Sequence, residues 1–320
     1  VLIFLMISGF FLRLHNFKNK KVHLATIDEN LYYVLGQQLS KDLTDYDGIN
    51  AAARLRALGS HIPDYMEDPL FKHPPLFPLL IAGALTTLGD KGTSAVAVVA
   101  GFGVLLILLT YLLGTLIANR KVGIWSAVVI ALDPINIICG QKIWMETTLT
   151  FFTVLAVYLF LRALKTKREI FFNASGVAIG LAALTKYPGI LTTLMIGIYA
   201  LLWQKNLFQK KIFLVGLVIP FLMLLPWAYW NYQVYGPDFL SQQAQFHAFR
   251  IAYPHVQRIL YTFVALGLIL WSTLSVKSPL SSYSQKFIPL VRNRWPWLAV
   301  SMGGLFLMLL YPQVFQSWQV

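Results

Sequence analysis

Charge is scarce in this chain of 320 residues. Asp, Glu, Lys and Arg make up only 12% of it against 57% hydrophobic residues, at a mean hydropathy of +0.63, a balance too apolar for a soluble domain of this length. Its single cysteine, Cys139, excludes an internal disulfide framework and a Cys-based zinc site. There is no P-loop, no GxGxxG following a strand and no HExxH, and no GxSxG elbow. Nucleotide-driven transport and Rossmann-type sugar-nucleotide binding therefore lack their signatures. Acids are scarce as well, 13 against 26 basic residues. The resulting charge of +13 comes with no RNA-recognition motif, zinc finger or basic–aromatic platform, so nucleic acid is not an expected partner.

What the chain does have is long apolar runs. The first reaches only Leu12, short of the ~20 residues a span needs. No small-x-small cleavage site precedes Arg13, so the run is read as the second half of a first transmembrane helix in a chain cut at both ends. Further runs cover 73–89, 94–118, 122–140, 143–164, 170–185, 187–203, 212–231, 258–276 and 296–311. Those from 94 on can each cross a bilayer, some of them short or tilted. No repeat or low-complexity linker divides them. The expectation is an all-α polytopic membrane protein with one transmembrane domain over 1–320.

The basic residues set its orientation. Arg120 and Lys121, then Lys165, Lys167 and Arg168, then Lys205, Lys210 and Lys211, then Lys277, Lys286, Arg292 and Arg294 fall in alternate connections. That marks one cytoplasmic face. The connections around Lys142, around Lys186 and at 231–257, a second large loop, then face outward. The polar stretch 13–72 holds eight of the 13 acids. It joins them if 73–89, with three prolines in its first turns, is re-entrant or juxtamembrane rather than a simple span. A first outer loop then runs over 13–93, a helical core over 94–231, and additional helices over 258–320.

Within that loop, Thr26 and Glu29 have capping-box spacing, which starts a helix with Asp28 and Glu29 in its first turn. Leu31, Leu35 and Leu39 follow as one apolar stripe. The bland reading makes Glu29 a cap and Asp28 a favourable charge at a helix N-terminus. Lys142 and Glu146 are four apart and are expected to share a helix face. Lys186, in Leu184-Thr185-Lys186-Tyr187-Pro188, stands in a tight connection between apolar helices, where a charge needs a partner or a polar cavity; its alternative is snorkelling. Trp227 reads as part of an interfacial aromatic belt near Asn231. Asp133-Pro134 reads as a proline break whose acid satisfies freed backbone groups. Gln245, His247 and Arg250 have no diagnostic spacing.

His73-Pro74-Pro75-Leu76, the Asp28-Glu29 pair, the Lys142-to-Glu146 step, the Leu-Thr-Lys-Tyr turn and Asn231-Tyr232 with Gly236 together resemble the polyprenyl-phosphate-sugar-dependent GT-C glycosyltransferases. The protein O-mannosyltransferases and the bacterial aminoarabinose and dolichyl-phosphate-mannose-like transferases are the nearest branches. The resemblance covers the chain to about Gly236. It implies a GT-C-like helix bundle whose first extracytoplasmic loop carries juxtamembrane helices. It also implies a site on the extracytoplasmic side of a plasma (inner) membrane, a polyprenyl-phosphate-linked sugar as donor and a lipid, glycan or protein hydroxyl as acceptor. By the same resemblance Asp28 lies near the acceptor hydroxyl, supported by Glu29, with His73, Lys186 and Lys142 toward the donor phosphate and Glu146 and Asn231 in support. The family often has Arg where Lys142 stands and Asp where Glu146 stands.

Elementary chemistry is consistent with that set. A sugar on a lipid phosphate already has a good leaving group, so the reaction needs one carboxylate to take the acceptor's proton and cations to neutralise the phosphate. Two carboxylates flanking a scissile bond, as in glycosidases, are not needed. No cofactor is required, although carboxylates can hold Mg²⁺ or Mn²⁺. Two rivals remain from other classes: a transporter or flippase for a lipid-linked sugar, which predicts broken helices in two related halves, and a non-catalytic membrane assembly protein.

Overall fold

Four polar punctuation points organise the chain into apolar rods: Asn119, the Asp133-Pro134 pair, Lys167 and the Lys210-Lys211 step. In a computed structural model, which describes residues 1–14, 26–57, 59, 70 and 73–239, these rods are helices, and no strand occurs among the described residues. The chain is all-α. Its helices are α1 (Leu2–Leu14), α2 (Ile27–Leu39), α3 (Gly48–Ala57), α4 (Leu76–Leu88), α5 (Gly92–Ile117), α6 (Arg120–Leu132), α7 (Pro134–Gly140), α8 (Glu146–Thr166), α9 (Ile170–Thr185), α10 (Leu191–Trp203) and α11 (Lys211–Tyr235). All described residues belong to one unit, Val1–Pro254. The runs expected at 258–276 and 296–311, and Gln245, His247 and Arg250, lie outside the described residues.

Among the described residues three helices are long and apolar enough to cross a membrane: α5, α8 and the rod from Lys211 to Asp238. The α6–α7 pair, bent by 59°, makes a fourth if it is counted as one broken span and not as a re-entrant loop. The bend sits where Pro134 cannot donate to the preceding turn, and Asp133 caps the new helix by accepting from the Asn136 amide at 3.0 Å. The sequence predicts further spans at 170–185 and 187–203. The structure has apolar helix over those same residues, Ile170–Thr185 and Tyr187–Trp203; both are short, α9 with 16 residues giving about 24 Å of helix against ~30 Å of hydrocarbon.

Packing follows side-chain size. α9 lies against both α8 and α11. It meets α11 at Gly176 and Gly216, where a Cβ on Gly216 would stand 2.6 Å from the Phe172 carbonyl oxygen. Without side chains, the two backbones touch. Beside this crossing, Phe160, Phe172, Ile179, Ile196 and Phe213 form one apolar core.

A second core joins α2, α3 and α4 to the ends of the longer rods. The predicted stripe Leu31, Leu35 and Leu39 is fully buried there, with Tyr46, Leu55, Phe77, Ile81, Val96, Ile143, Met145 and Trp227. α4 is held at both ends by the α2–α3 layer. Just past its C-terminus Asp90 accepts from the Tyr33 hydroxyl at 2.8 Å and the Gln37 amide at 2.9 Å. Just before its N-terminus the His73 carbonyl accepts from the Tyr46 hydroxyl at 3.0 Å.

Candidate active site

The first turn of α2 is built by its own side chains. The Glu29 amide donates to Thr26 Oγ1 at 3.3 Å, and Glu29 Oε2 accepts from the Thr26 amide and hydroxyl, each at 3.1 Å. That is a complete capping box. It holds Glu29 fully buried, with Oε1 lacking a hydrogen-bond partner among the described residues. Asp28, about 100° round the helix from Glu29, is exposed.

The cap is also bound from outside its own helix. Trp144 Nε1 donates to Thr26 Oγ1 at 3.1 Å. Trp144 sits in the turn between α7 and α8, so this bond places the acidic end of α2 beside the segment that carries Lys142 and Glu146. The Lys142 ammonium lies 4.3 Å from the Trp144 ring centroid. Lys142 and Glu146 do not share a helix face as their spacing predicts: Lys142 is in the turn, and Glu146 is the first residue of α8. Helix periodicity has no meaning across that boundary.

Glu146 pairs elsewhere. Its carboxylate is 2.9 Å from Lys186 Nζ, an ion pair between the start of α8 and the end of α9. Both partners keep solvent exposure, at 46% and 30% of their side chains, so the contact contributes little to stability. It does hold a cation in a fixed place. Lys186 itself has extended backbone and terminates α9.

Aromatic residues fix the neighbouring connections. Trp227 is not part of an interfacial belt: it is buried, its indole donating to the Tyr187 hydroxyl at 2.7 Å. Tyr46 packs edge-on against Trp227 and beside Trp230. Burial, then the neighbouring Tyr187, pushes the Tyr46 hydroxyl well above the usual tyrosine range, which keeps it a neutral donor to the His73 carbonyl. Asn231 is buried, and its amide donates to the Trp227 carbonyl at 2.8 Å. Tyr46 has no local signal that marks it, and Tyr187, though part of the Leu-Thr-Lys-Tyr turn, has none for its contact with Trp227; only their long-range contacts show these roles. Among the described residues no three of His, Cys, Asp and Glu stand together as a metal-ligand group.

The arrangement offers an exposed carboxylate, Asp28, on a helix tied through Thr26 and Trp144 to a turn that leads to the Glu146–Lys186 pair. Carboxylates and cations are thus brought to one end of α8, α9 and α2. The family model described as dolichyl-phosphate-mannose-protein mannosyltransferase matches residues 72–230. His73, Lys142, Glu146 and Lys186 fall inside that segment; Asp28 and Glu29 precede it and Asn231 follows it. No curated protein matches the chain.

Proposed function

We propose that this chain, whose residues 72–230 match the mannosyltransferase family model, is a glycosyltransferase of the GT-C superfamily that moves a sugar from a polyprenyl-phosphate donor to a hydroxyl acceptor on the extracytoplasmic face of a plasma (inner) membrane. Asp28 takes the proton of the acceptor hydroxyl as its oxygen attacks the anomeric carbon. The bond from that carbon to the phosphate oxygen breaks, and the polyprenyl phosphate leaves with the electron pair. Lys186, His73 and Lys142 lie toward the phosphate and offset its charge. Glu146 holds Lys186 in place, Glu29 shapes the first turn of α2, and Asn231 braces the end of α11. The acceptor is a lipid, glycan or protein hydroxyl.

The observation that carries this reading is the Trp144–Thr26 hydrogen bond, because it joins the acidic turn of α2 to the cation-bearing turn before α8. No step needs a divalent cation, and Mg²⁺ or Mn²⁺ dependence is measured directly by chelation with EDTA. Among the described residues the bent α6–α7 pair is a broken helix of the kind a lipid-linked-sugar transporter would also have, and such a transporter would use the same acids and lysines to guide a headgroup. Incubating purified full-length protein with polyprenyl-phosphate mannose and a membrane extract separates the two, since a transporter moves donor without forming a glycoside. In the same assay at saturating donor, Asp28→Asn should lose about 10²–10⁴ in turnover, the usual worth of a positioned base, and Glu29→Gln much less. An inactive Glu29→Gln beside an active Asp28→Asn would reverse the two roles; full activity in both would remove the pair from the site.

A further inference from the structure

Arg13 is fully buried near the end of α1, where a guanidinium in an apolar bundle is costly unless it has a task. Its partners are oxygens of other elements as well as its own. Nη1 donates to the Gly9 carbonyl at 2.9 Å, and Nη2 donates to the Ile130 carbonyl at 3.4 Å and to Asn136 Oδ1. Nε has no partner among the described residues. Ile130 lies four residues before Pro134, so its carbonyl is the one that loses an amide donor to the proline. Asn136 lies in the first turn of the helix beyond the break. The guanidinium therefore bridges the last turn of α6 and the first turn of α7.

Space for it is made by glycines on two other helices. A Cβ on Gly103 of α5 would stand 2.5 Å from Arg13 Nε, and one on Gly140 of α7 would stand 2.8 Å from its Cδ. Directly after Gly140, the Gln141 side chain donates to the Leu12 carbonyl at 2.8 Å, so α1 and the end of α7 are joined twice. The turn with Lys142 and Trp144, and Glu146 at the start of α8, come next in the chain.

We propose that Arg13 is a positioning residue: it staples the broken α6–α7 span and so fixes the turn that presents Trp144 to Thr26 and Glu146 to Lys186. The part of this that concerns catalysis rests on the function proposed above; the staple itself does not. Cys139, the only cysteine and half-buried on α7, is a native reporter of that helix. In purified full-length protein, Arg13→Met should raise the rate at which N-ethylmaleimide alkylates Cys139 by about tenfold, as expected for loss of a charge-assisted hydrogen bond. Arg13→Lys, which can still reach one acceptor, should fall between the two. Asn136→Ala removes a single acceptor and serves if Arg13→Met does not fold, with a smaller rise expected. With polyprenyl-phosphate mannose as donor, Arg13→Lys should raise KM several-fold while kcat stays within about twofold, the pattern of weakened ground-state positioning.

Unchanged alkylation in folded Arg13→Met or Asn136→Ala would overturn the staple. Faster alkylation with wild-type KM would overturn the positioning role. Faster alkylation in a protein whose wild type transfers no sugar would uphold the staple and sink the functional reading instead.

Discussion

Glu29 gives one carboxylate oxygen to Thr26 and keeps the other without a hydrogen-bond partner among the described residues, whereas Asp28, one step along the helix, is exposed. That contrast divides their effects on stability. Glu29→Gln keeps an acceptor for Thr26 and should cost about 1 kcal/mol, while Glu29→Ala leaves the Thr26 amide unmet and should cost roughly 1–3 kcal/mol. Trp144→Phe keeps a ring under Lys142 but deletes the indole donor, again about 1 kcal/mol. Thermal unfolding in detergent orders the three; a Glu29→Ala protein as stable as wild type would contradict the capping box. At Lys186 the balance is reversed. Losing a half-exposed pair should change stability by no more than ~1 kcal/mol. Lys186→Met should nonetheless weaken binding of polyprenyl-phosphate mannose by roughly 1–3 kcal/mol if the cation meets its phosphate. Unchanged donor affinity in a folded variant would leave Lys186 as an interfacial lysine. The cap is legible in sequence because a capping box is local, three residues from donor to acceptor. The Lys142–Glu146 spacing misleads for the converse reason: a step of four says nothing about where a helix begins, and Lys186 is distant in sequence.

Helices whose boundaries are set by local chemistry are the readable ones. Thr26 and the Asp133-Pro134 pair each mark a start, and the break at Pro134 stands where the proline and its capping acid require it. The stripe on α2 is legible as an apolar face, but not what it faces. Trp227 reads as interfacial from sequence because its burial depends on Tyr46 and Tyr187, neither near it in the chain. The site shares this limit: His73 and Lys186 are visible as residues, while the hydroxyl that orients one connection and the carboxylate that holds the other come from remote elements. Two element contacts yield tests. Gly216→Val would press side-chain atoms onto the Phe172 carbonyl, and such overpacking should cost about 1–3 kcal/mol; equal stability by thermal unfolding would mean the α9–α11 crossing can open freely. The α2–Asp90 clasp should depend on pH. Burial first, then the Asp90 hydrogen bond and charge, raise the Tyr33 hydroxyl above its ordinary value near 10. A pKa raised on folding contributes stability that is fully present below the unfolded value and lost as pH climbs through the folded one. Tyr33→Phe should therefore flatten the alkaline loss of stability; an identical profile in both proteins would exclude Tyr33 as its source.

At the scale of the whole molecule the question is whether acids and cations share one side of a membrane. α8 has 21 residues, so its ends are about 31 Å apart, enough to cross. Glu146 begins it and is paired with Lys186, while Trp144 just before it is bonded to Thr26. Lys165 lies in its last turn and donates to the Leu116 carbonyl at the end of α5. The connections at that far end hold Arg120, Lys121, Lys165, Lys167, Arg168, Lys205, Lys210 and Lys211, with one acid, Glu169, which Lys210 meets at 2.6 Å. We propose, on the rule that short basic loops stay in the cytoplasm, that this end is cytoplasmic, which would send Asp28 and Lys186 to the opposite face together. The test replaces Cys139 by Ser and introduces single cysteines at exposed positions: Ile27→Cys and Pro188→Cys beside the two candidates, Lys121→Cys and Lys205→Cys at the basic end. In intact cells an impermeant maleimide should label the first two and reach the second two only after permeabilisation. If Ile27→Cys and Pro188→Cys label from opposite sides, Asp28 and Lys186 cannot serve one sugar transfer, however well the rest of the fold is assigned.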